Sequence, residues 1–360
     1  MISTSQNSAL RPPGPPGHGI PLCAFNAEGT VRAAVESILA QTFRDFELLL
    51  VDDGSTDGTR AMLGSFTDPR IRLHFLPENI GLTRALNAGL PLARGAFIAR
   101  LDADDVALPE PLERQVAFLD AHPEVGVVGC AYEMRPPGRP AVLFQEPVSE
   151  TAMRFGLLFD NTLSHPTVMV RREFLRRGYD PAFRYAQEYA LWASLWDLCH
   201  LAKLPETLVI YGHADTRISV SRRPEQARLA ESVSLSLMRR LLPGRDRTPH
   251  RRDEAGLAWP ACPVPATPAS LRGAALVLDL FAAFLREPRV VRPEAWRMRR
   301  AWLLRVLNSI RVDQLGQARR SGVLGRAFRA HPFTVAWYAG LRVLWAALNR
   351  FGIRWRPVKP

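Results

Sequence analysis

Apolar and polar segments alternate regularly over residues 20–130. Short continuous apolar runs, typical of buried strands, recur between segments whose apolar residues have helical spacing. The runs predict strands at Ile20–Phe25, Phe46–Val51, Ile71–Leu76, Ala96–Leu101 and Val125–Cys130, and the spacing predicts helices at Thr30–Gln41, Arg60–Phe66, Leu82–Ala93 and Pro109–Ala121. This alternation favours right-handed βαβ units, so we expect an α/β fold with a mostly parallel sheet flanked by helices.

The alternation weakens after residue 130. The later pattern predicts a loop at Pro136–Pro147, strands at Thr167–Arg171 and Leu204–Tyr211, and helices at Thr151–Phe159, Glu188–Leu198, 224–242, 271–286, 292–309 and 333–349. Four segments are therefore expected: a flexible Pro/Gly-rich tail at 1–19, an α/β domain at 20–220, a helix with a Pro-rich linker at 221–270, and a basic helical region at 271–360.

The charge divides the chain into two parts. Of the 360 residues, 47% are hydrophobic and 23% charged, which excludes collagen, a coiled coil and wholesale disorder. Residues 1–200 hold 18 Lys and Arg against 24 Asp and Glu, a net charge of −6, and residues 201–360 hold 29 against 11, a net charge of +18. The acidic part suits a metal and the basic part suits phosphates or an anionic surface.

The cysteines and the N-terminal residues indicate in which cellular compartment the protein is expected. Four scattered cysteines form no CxxC pair or Cys/His cluster, which gives no support to zinc and fits a reducing compartment. Residues 1–10 are polar, and no apolar run is long enough to span a bilayer. We expect a cytoplasmic protein, with peripheral contact at the inner membrane face as an open alternative.

Asp102, Asp104 and Asp105 directly follow the fourth predicted strand. Three carboxylates in four residues repel one another unless a cation or strong donors compensate them. Mg²⁺ is usually held by one or two carboxylates together with substrate phosphates. The cluster predicts a metal–diphosphate site, and a solvated acidic turn is the alternative.

Two more carboxylates, Asp52 and Asp53, directly follow the second predicted strand. Ligands of parallel sheets bind at this edge, where a carboxylate accepts hydrogen bonds from a base or a ribose hydroxyl. Arg84, on a predicted helix, either faces a phosphate or lies on a solvated face.

At this point the sequence resembles a family. It contains, in order, FNAE, SILAQTFRDFELLLVDDGSTDGT, ENIGLTRALNAGL and ARGAFIARLDADD, which look like motifs of the family-2 glycosyltransferases of the GT-A fold. Their order and spacing also agree. The resemblance extends through Ser164–Met169 and Tyr185–Trp192 and fades near Ser219.

The resemblance implies an inverting, hexosyltransferase-type reaction. The donor would be a nucleotide diphosphate sugar, expected to be UDP-linked, and the acceptor a hydroxyl of a glycan or a lipid-linked acceptor. The candidates for binding the nucleotide sugar are Phe25, Asn26, Asp52, Asp53, Arg84, Asp102 and His165. Asp102 and Asp104 match the DxD pair that would hold Mn²⁺ or Mg²⁺. A half-buried structural histidine is the alternative for His165.

The general base is where this sequence departs from the family. Relatives often read Glu-Asp-Tyr-Asp-Leu-Trp where this chain reads QEYALW at 187–192. Glu188 falls where the catalytic Asp is expected, and its side chain is one methylene longer. Glu188 is therefore the candidate base. Alternatively, it is a helix-cap or surface residue in a chain with weakened or lost activity.

The basic region at 271–360 is not explained by the resemblance. Its tryptophans are spread among arginines at Trp296, Trp302, Trp337, Trp345 and Trp355. Basic amphipathic helices with Trp bind anionic membrane surfaces, and ordinary packing with arginine on the wet face is the alternative. No nucleic-acid-binding signature is present, so no nucleic-acid partner is expected.

The leading hypothesis is a metal-dependent glycosyltransferase of polysaccharide or glycan biosynthesis. Two rivals stay open: a non-catalytic nucleotide-sugar-binding or scaffolding relative, and a sugar-nucleotide-forming nucleotidyltransferase.

Overall fold

The fold comes from a computed structural model that describes residues 18–136, 138–145, 149–212, 222–244, 268–309, 318–319, 321–332 and 335. The chain divides into two compact units. The first is made of residues 1–149 and 163–230, and the second of residues 150–162 and 231–360. The predicted boundaries after residues 220 and 270 stay a prediction. The predicted tail up to residue 17, most of the linker and nearly all of the helix at 333–349 lie outside the described residues.

The first unit contains one sheet of nine strands. They are β1 His18–Ala24, β2 Phe46–Asp52, β3 Ile71–Phe75, β4 Phe97–Ala99, β5 Val106–Ala107, β6 Val125–Met134, β7 Val142–Phe144, β8 Met169–Arg171 and β9 His200–Tyr211. The order is β3-β2-β1-β4-β8-β6-β9-β5, with β7 added beside β6. β3, β2, β1 and β4 run parallel, β6 and β9 run parallel, and β8 joins the two blocks through antiparallel pairs.

Ten helices are described. They are α1 Val31–Leu39, α2 Thr59–Gly64, α3 Leu82–Gly89, α4 Pro111–Ala121, α5 Glu150–Gly156, α6 Gln187–Ser194, α7 Arg223–Leu241, α8 Pro268–Phe284, α9 Arg292–Ser309 and α10 Val323–Ala330. The expected α/β class, a sheet flanked by helices with further helices toward the C-terminus, is confirmed. The sheet is mixed rather than mostly parallel, because the strands that follow β4 add antiparallel pairs. Pro91 ends α3 earlier than expected, because residues 90–92 form a 3₁₀ turn instead.

The core of the first unit follows directly from the apolar runs. Every residue of β2 is buried, and Leu48 and Leu50 pack with Ile20 and Leu22 of β1. α1 covers this sheet with Val35 and its other apolar residues at helical spacing. The apolar runs of β1 and β2 thus form the part of the core that α1 covers.

The register brings the loops of interest to one edge. Ala24 pairs with Asp52, and Asp52 pairs with Phe75, so β1, β2 and β3 end level with one another. Ile98 pairs with Gly19, so the chain after β4 runs alongside the second half of β1. The acidic loops after β2 and β4 therefore leave the same edge of the sheet.

The second unit has its own aromatic core. Phe155 of α5 stacks on Phe281 of α8 with ring centroids 3.8 Å apart, and Trp302 of α9 lies 6.1 Å from Phe281. Trp302 is buried, so it belongs to this core rather than to a surface. Among the described helices, none combines the length and the apolar character needed to cross a bilayer. Three of the tryptophans considered for membrane contact lie outside the described residues: Trp337, Trp345 and Trp355.

Candidate active site

The loops after β1 and β2 are joined by side-chain hydrogen bonds. Asn26 donates its N–H to the Ser55 hydroxyl at 3.0 Å, and its side-chain oxygen accepts from the Thr56 N–H at 2.9 Å. Asn26 has φ +48°, the left-handed region that Asn tolerates better than most residues. Asn26 thus fixes the two loops against each other, and its neighbour Phe25 is left 46% exposed at the rim.

Asp52 is fully buried and ion-paired. Its Oδ2 accepts from Arg60 Nε at 2.7 Å, and its Oδ1 accepts from the Ser55 N–H at 3.2 Å. Arg60 also donates to the Leu76 carbonyl, at the end of β3. The carboxylate of Asp52 therefore ties the loop after β2 to the end of β3.

Asp53 is buried and faces a second loop. Its Oδ1 accepts from the Ile80 N–H at 2.8 Å, and its Oδ2 accepts from the Gly81 N–H at 3.0 Å and from Asn79 Nδ2 at 3.1 Å. Burial raises the pKa of the Asp53 carboxyl, and these N–H groups oppose the shift. Asp53 thus fixes the loop that leads into α3. The next residue, Gly54, has φ +68°, and a Cβ there would lie 2.2 Å from the backbone of Glu78, so only glycine fits.

The acidic loop gathers three carboxylates. Asp102, Asp104 and Asp105 each offer an oxygen, and these oxygens lie within 4.8 Å of one another. Asp105 is buried and accepts from the Gly212 N–H at 2.8 Å, after the last strand. The candidate metal site thus contains the predicted Asp102 and Asp104 and adds Asp105.

A buried guanidinium partly balances this cluster. Arg100 is buried at the end of β4, and its guanidinium pairs with Asp102 and with the Leu101 carbonyl. Three carboxylates and one guanidinium leave a formal charge of −2. A divalent cation would neutralise that charge, and oxygen ligands suit Mg²⁺ or Mn²⁺. The residues present therefore fit the implied metal.

His165 lies in the interior of the first unit. Its Nε2 is 2.9 Å from the Tyr179 hydroxyl, and both side chains are buried. Burial, reinforced by the positive charge of Arg100, lowers the pKa of His165 well below its ordinary value. His165 is therefore neutral, and burial raises the pKa of the Tyr179 hydroxyl. This geometry matches the structural alternative for His165 and leaves its part in donor binding a prediction.

Tyr179 is clamped by α3. The side-chain amide of Asn87 donates to the Tyr179 carbonyl and accepts from the Tyr179 N–H, both at 2.8 Å. Gly178 makes this approach possible, since its φ is +66° and a Cβ would lie 2.5 Å from Asn87 Oδ1. The clamp ties the segment before α6 to the helix that follows the Asp53 loop.

Glu188 lies in the first turn of α6 and is half-buried. Its charge contributes to the raised pKa of Tyr179, so the two groups are within electrostatic range. Trp192, one turn later and buried, donates from its indole to the Leu163 carbonyl at 3.2 Å. α6 is thereby fixed to the segment that carries His165. A carboxylate in a first helical turn is also favoured by the helix dipole, as the cap alternative requires.

Arg84 is exposed in the first turn of α3, three residues after Gly81, whose N–H donates to Asp53. Its part in phosphate binding stays a prediction. Sequence reasoning missed Arg100, Tyr179 and Asn87. The sequence did contain a signal for Arg100, because this single charged residue ends an apolar strand directly before three carboxylates.

Cys23 of β1 is buried in this interior. Burial raises its pKa to about 12, so the thiol stays protonated. The thiol packs near Arg100 as a small neutral group.

Comparisons with known proteins identify the family of the chain. The sequence model described as Glycosyl transferase family 2 matches residues 20–178. The chain is 31% identical over 180 residues to the amylovoran biosynthesis glycosyltransferase AmsE of Erwinia amylovora, a match covering 49% of this chain and 67% of that protein. It is 33% identical over 186 residues to the putative teichuronic acid biosynthesis glycosyltransferase TuaG of Bacillus subtilis strain 168, a match covering 48% of this chain and 69% of that one.

One solved structure bears on the fold. S. aureus TarS residues 1–349, determined in complex with UDP, superposes with a TM-score of 0.51 at 17% identity, covering 86% of this chain and 89% of that chain. This likeness confirms the GT-A-type fold that the motifs implied.

Proposed function

The chain belongs to glycosyl transferase family 2, and we propose that it transfers one sugar from a nucleotide diphosphate sugar to a hydroxyl of a glycan or lipid-linked acceptor. The chain is a glycosyltransferase, and its relatives include enzymes named for polysaccharide biosynthesis. The proposed donor is a UDP-sugar, and the proposed outcome is inversion. The observation that carries the proposal is the acidic cluster at the sheet edge that also carries Asp52 and Asp53.

Asp52 and Asp53 support nucleotide binding by being fixed in advance. Asp52 is fully buried, and its carboxylate is held by Arg60 and the Ser55 N–H. Asp53 is held by the N–H groups of Ile80 and Gly81. The two carboxylates therefore fix the loops that a bound base or ribose would contact. Phe25, exposed at the rim beside Asn26, offers an aromatic face to a base. Pre-ordered groups lose less entropy when a ligand binds.

Asp102, Asp104 and Asp105 would hold the divalent cation. When bound, that cation supplies charge neutralisation for the diphosphate leaving group. Arg100 keeps Asp102 oriented, and the Gly212 N–H keeps Asp105 oriented. The loop thus holds the carboxylates that would bind the cation close to where a diphosphate would lie.

Glu188 is the proposed general base. Its carboxylate would take the proton from the acceptor hydroxyl as the oxygen forms a bond to the anomeric carbon and the bond from that carbon to the diphosphate oxygen breaks. The nucleoside diphosphate leaves with the electron pair of that bond. Attack opposite the leaving group inverts the anomeric configuration. Trp192 and the Asn87–Tyr179 clamp support this role because they fix the segments around α6.

The decisive experiment is a panel of nucleotide sugars with and without Mn²⁺, followed for binding and for nucleoside diphosphate release. We expect metal-dependent binding of one UDP-sugar and slow diphosphate release. Asp104→Asn should lose metal-dependent binding of the UDP-sugar. Glu110→Gln, which alters an exposed acid just beyond the same loop, should retain that binding. Binding without turnover under every acceptor would favour the scaffolding relative. Absence of metal-dependent nucleotide binding would refute the proposal.

We further propose that the basic C-terminal region contacts an anionic membrane through α9. Arg292, Trp296 and Arg300 are exposed at four-residue spacing, Arg297 is exposed beside them, and Trp296 is 43% exposed. Arg300 lies 5.9 Å from the Trp296 ring centroid. Exposed arginines flanking an exposed Trp suit a negatively charged lipid interface.

Flotation with phosphatidylglycerol vesicles tests this contact. The full chain should bind these vesicles in low salt and should not bind phosphatidylcholine vesicles. R297E/R300E should lose binding, and R94E/R176E, which reverses the same number of exposed charges in the first unit, should keep it. Equal binding by both variants would contradict the assignment.

A further inference from the structure

Three aromatic rings lie together where β6, β7 and β9 meet. Phe144 of β7 pairs directly with Tyr132 of β6, and their rings stack with centroids 4.8 Å apart and planes 6° apart. Tyr211 of β9 lies 5.2 Å from the Tyr132 ring. These three residues are called the aromatic platform below.

The aromatic platform is linked to the acidic cluster through one peptide bond and one hydrogen bond. Gly212 follows Tyr211, and its N–H donates to Asp105 Oδ1 at 2.8 Å. Asp105 is one of the three carboxylates of the candidate metal site. A molecule resting on the platform would therefore lie beside the place proposed for the diphosphate.

The outer part of the platform is open. Phe144 is 37% exposed although one of its faces stacks on Tyr132, and Val142, two residues before it on the same face of β7, is 47% exposed. Leu143 is 51% exposed on the opposite face. Exposed apolar side chains grouped beside a reaction centre are a sign of a binding surface.

We propose that the aromatic platform binds a pyranose ring of the acceptor. A pyranose has one face made of C–H groups and a rim of hydroxyls. The C–H face is attracted to the electron-rich face of an aromatic ring such as Phe144. The hydroxyls of Tyr132 and Tyr211 both donate and accept hydrogen bonds, as the sugar rim requires. This inference rests on the proposed function, because the acceptor is the second substrate of that reaction.

A sugar fits this surface better than an acyl or prenyl chain does. Two of the three rings carry hydroxyl groups, whose polar atoms suit the hydroxyls of a sugar better than the methylenes of an aliphatic chain. The chemistry of the platform therefore matches a neutral ring with an apolar face.

Saturation-transfer NMR on the full chain tests the platform. The probes are the methyl pyranosides of glucose, galactose, N-acetylglucosamine, mannose and rhamnose, each with UDP and Mg²⁺ present. At least one should receive saturation at the C–H protons of its apolar face. Phe144→Ala should weaken that binding about fivefold, the value of a modest stacking contact. Phe144→Tyr should restore it.

Leu143→Ala is the matched control, since it removes an exposed apolar side chain from the other face of the same strand. Its glycoside binding should equal that of the unmodified chain. The inference is overturned if no glycoside receives saturation, if both alanine variants lose it equally, or if Phe144→Ala loses only attachment to phosphatidylglycerol vesicles.

Titration of the same preparations with UDP separates this inference from the proposed function. If all variants bind UDP and glycoside binding does not depend on Phe144, only the aromatic platform assignment is wrong. If the unmodified chain binds no UDP, the proposed function itself fails.

Discussion

The Nε2 atom of His165 lies 2.9 Å from the hydroxyl oxygen of Tyr179, and both side chains are buried in the first unit. Because burial and Arg100 hold the pKa of His165 well below its ordinary value, the imidazole is neutral. Burial also raises the pKa of Tyr179, so the pair shares one neutral hydrogen bond. This bond joins the histidine of the SHPT segment to the residue that Asn87 clamps.

Tyr179→Phe should destabilise the protein by about 1–3 kcal/mol, because it leaves a buried imidazole nitrogen without its partner while the ring still fills its space. Urea unfolding measures the change. Tyr185→Phe is the control, since that half-buried ring lies against Arg184 and its loss of a hydroxyl should cost less than about 0.5 kcal/mol. Equal losses in the two variants would show that the His165 contact carries no stability.

Acidification should destabilise the second unit through His331. Burial, with Arg299 and Arg300 nearby, lowers the pKa of His331 to about 4, and its Nε2 accepts from Arg299 Nε at 3.1 Å. Between pH 6.5 and about 4, the unfolded chain therefore binds a proton that the folded chain does not. The free energy of unfolding should fall across this window, by at most about 1.4 kcal/mol per pH unit for one proton.

Urea unfolding at several pH values measures that slope. His331→Gln should show a shallower slope than the unmodified chain, although it does not abolish the slope because His165 acts in the same direction. An unchanged slope in His331→Gln would mean that His331 is protonated equally in both states.

Gly178→Ala should be strongly destabilising. The backbone has φ +66°, and the new Cβ would lie 2.5 Å from Asn87 Oδ1, so the clamp on Tyr179 has to open. We expect a loss of about 2–4 kcal/mol from the strained backbone and the broken hydrogen bonds. Gly64→Ala is the control, because a Cβ there meets nothing within 4 Å. A loss below that of Gly64→Ala would contradict the described clamp.

Local pattern predicted β1 and β2 because those strands bury both faces. All seven residues of β2 are buried, and the sequence FELLLVD carries that information by itself. β5 has two residues and β7 has three, which is too short for a periodic signal. β7 therefore fell within the predicted loop 136–147.

The residues of the candidate site likewise include some that the sequence predicts and some that it does not. The carboxylates after β2 and β4 follow apolar runs directly, so their position at the sheet edge could be inferred before any contact was known. The clamp could not, because Asn87 and Tyr179 lie 92 residues apart and meet only through tertiary packing. Arg100 was overlooked since a buried arginine contradicts the usual preference of that residue for the surface.

Glu188→Gln should separate donor binding from transfer. The glutamine side chain keeps the size and the hydrogen-bonding capacity of the glutamate but cannot accept a proton from the acceptor hydroxyl at neutral pH. The rate of transfer should therefore fall about 10²–10⁴-fold, with the affinity for the nucleotide sugar unchanged. Glu173→Gln, an exposed acid in the same unit, should retain full activity and so controls for the loss of one negative charge. The rate is followed as acceptor-dependent release of nucleoside diphosphate, and the affinity by titration calorimetry. Because the neutral amide would occupy the same first turn of α6, a helix-capping role alone predicts lower stability with little change in rate. Normal transfer by Glu188→Gln would therefore assign the base to another residue.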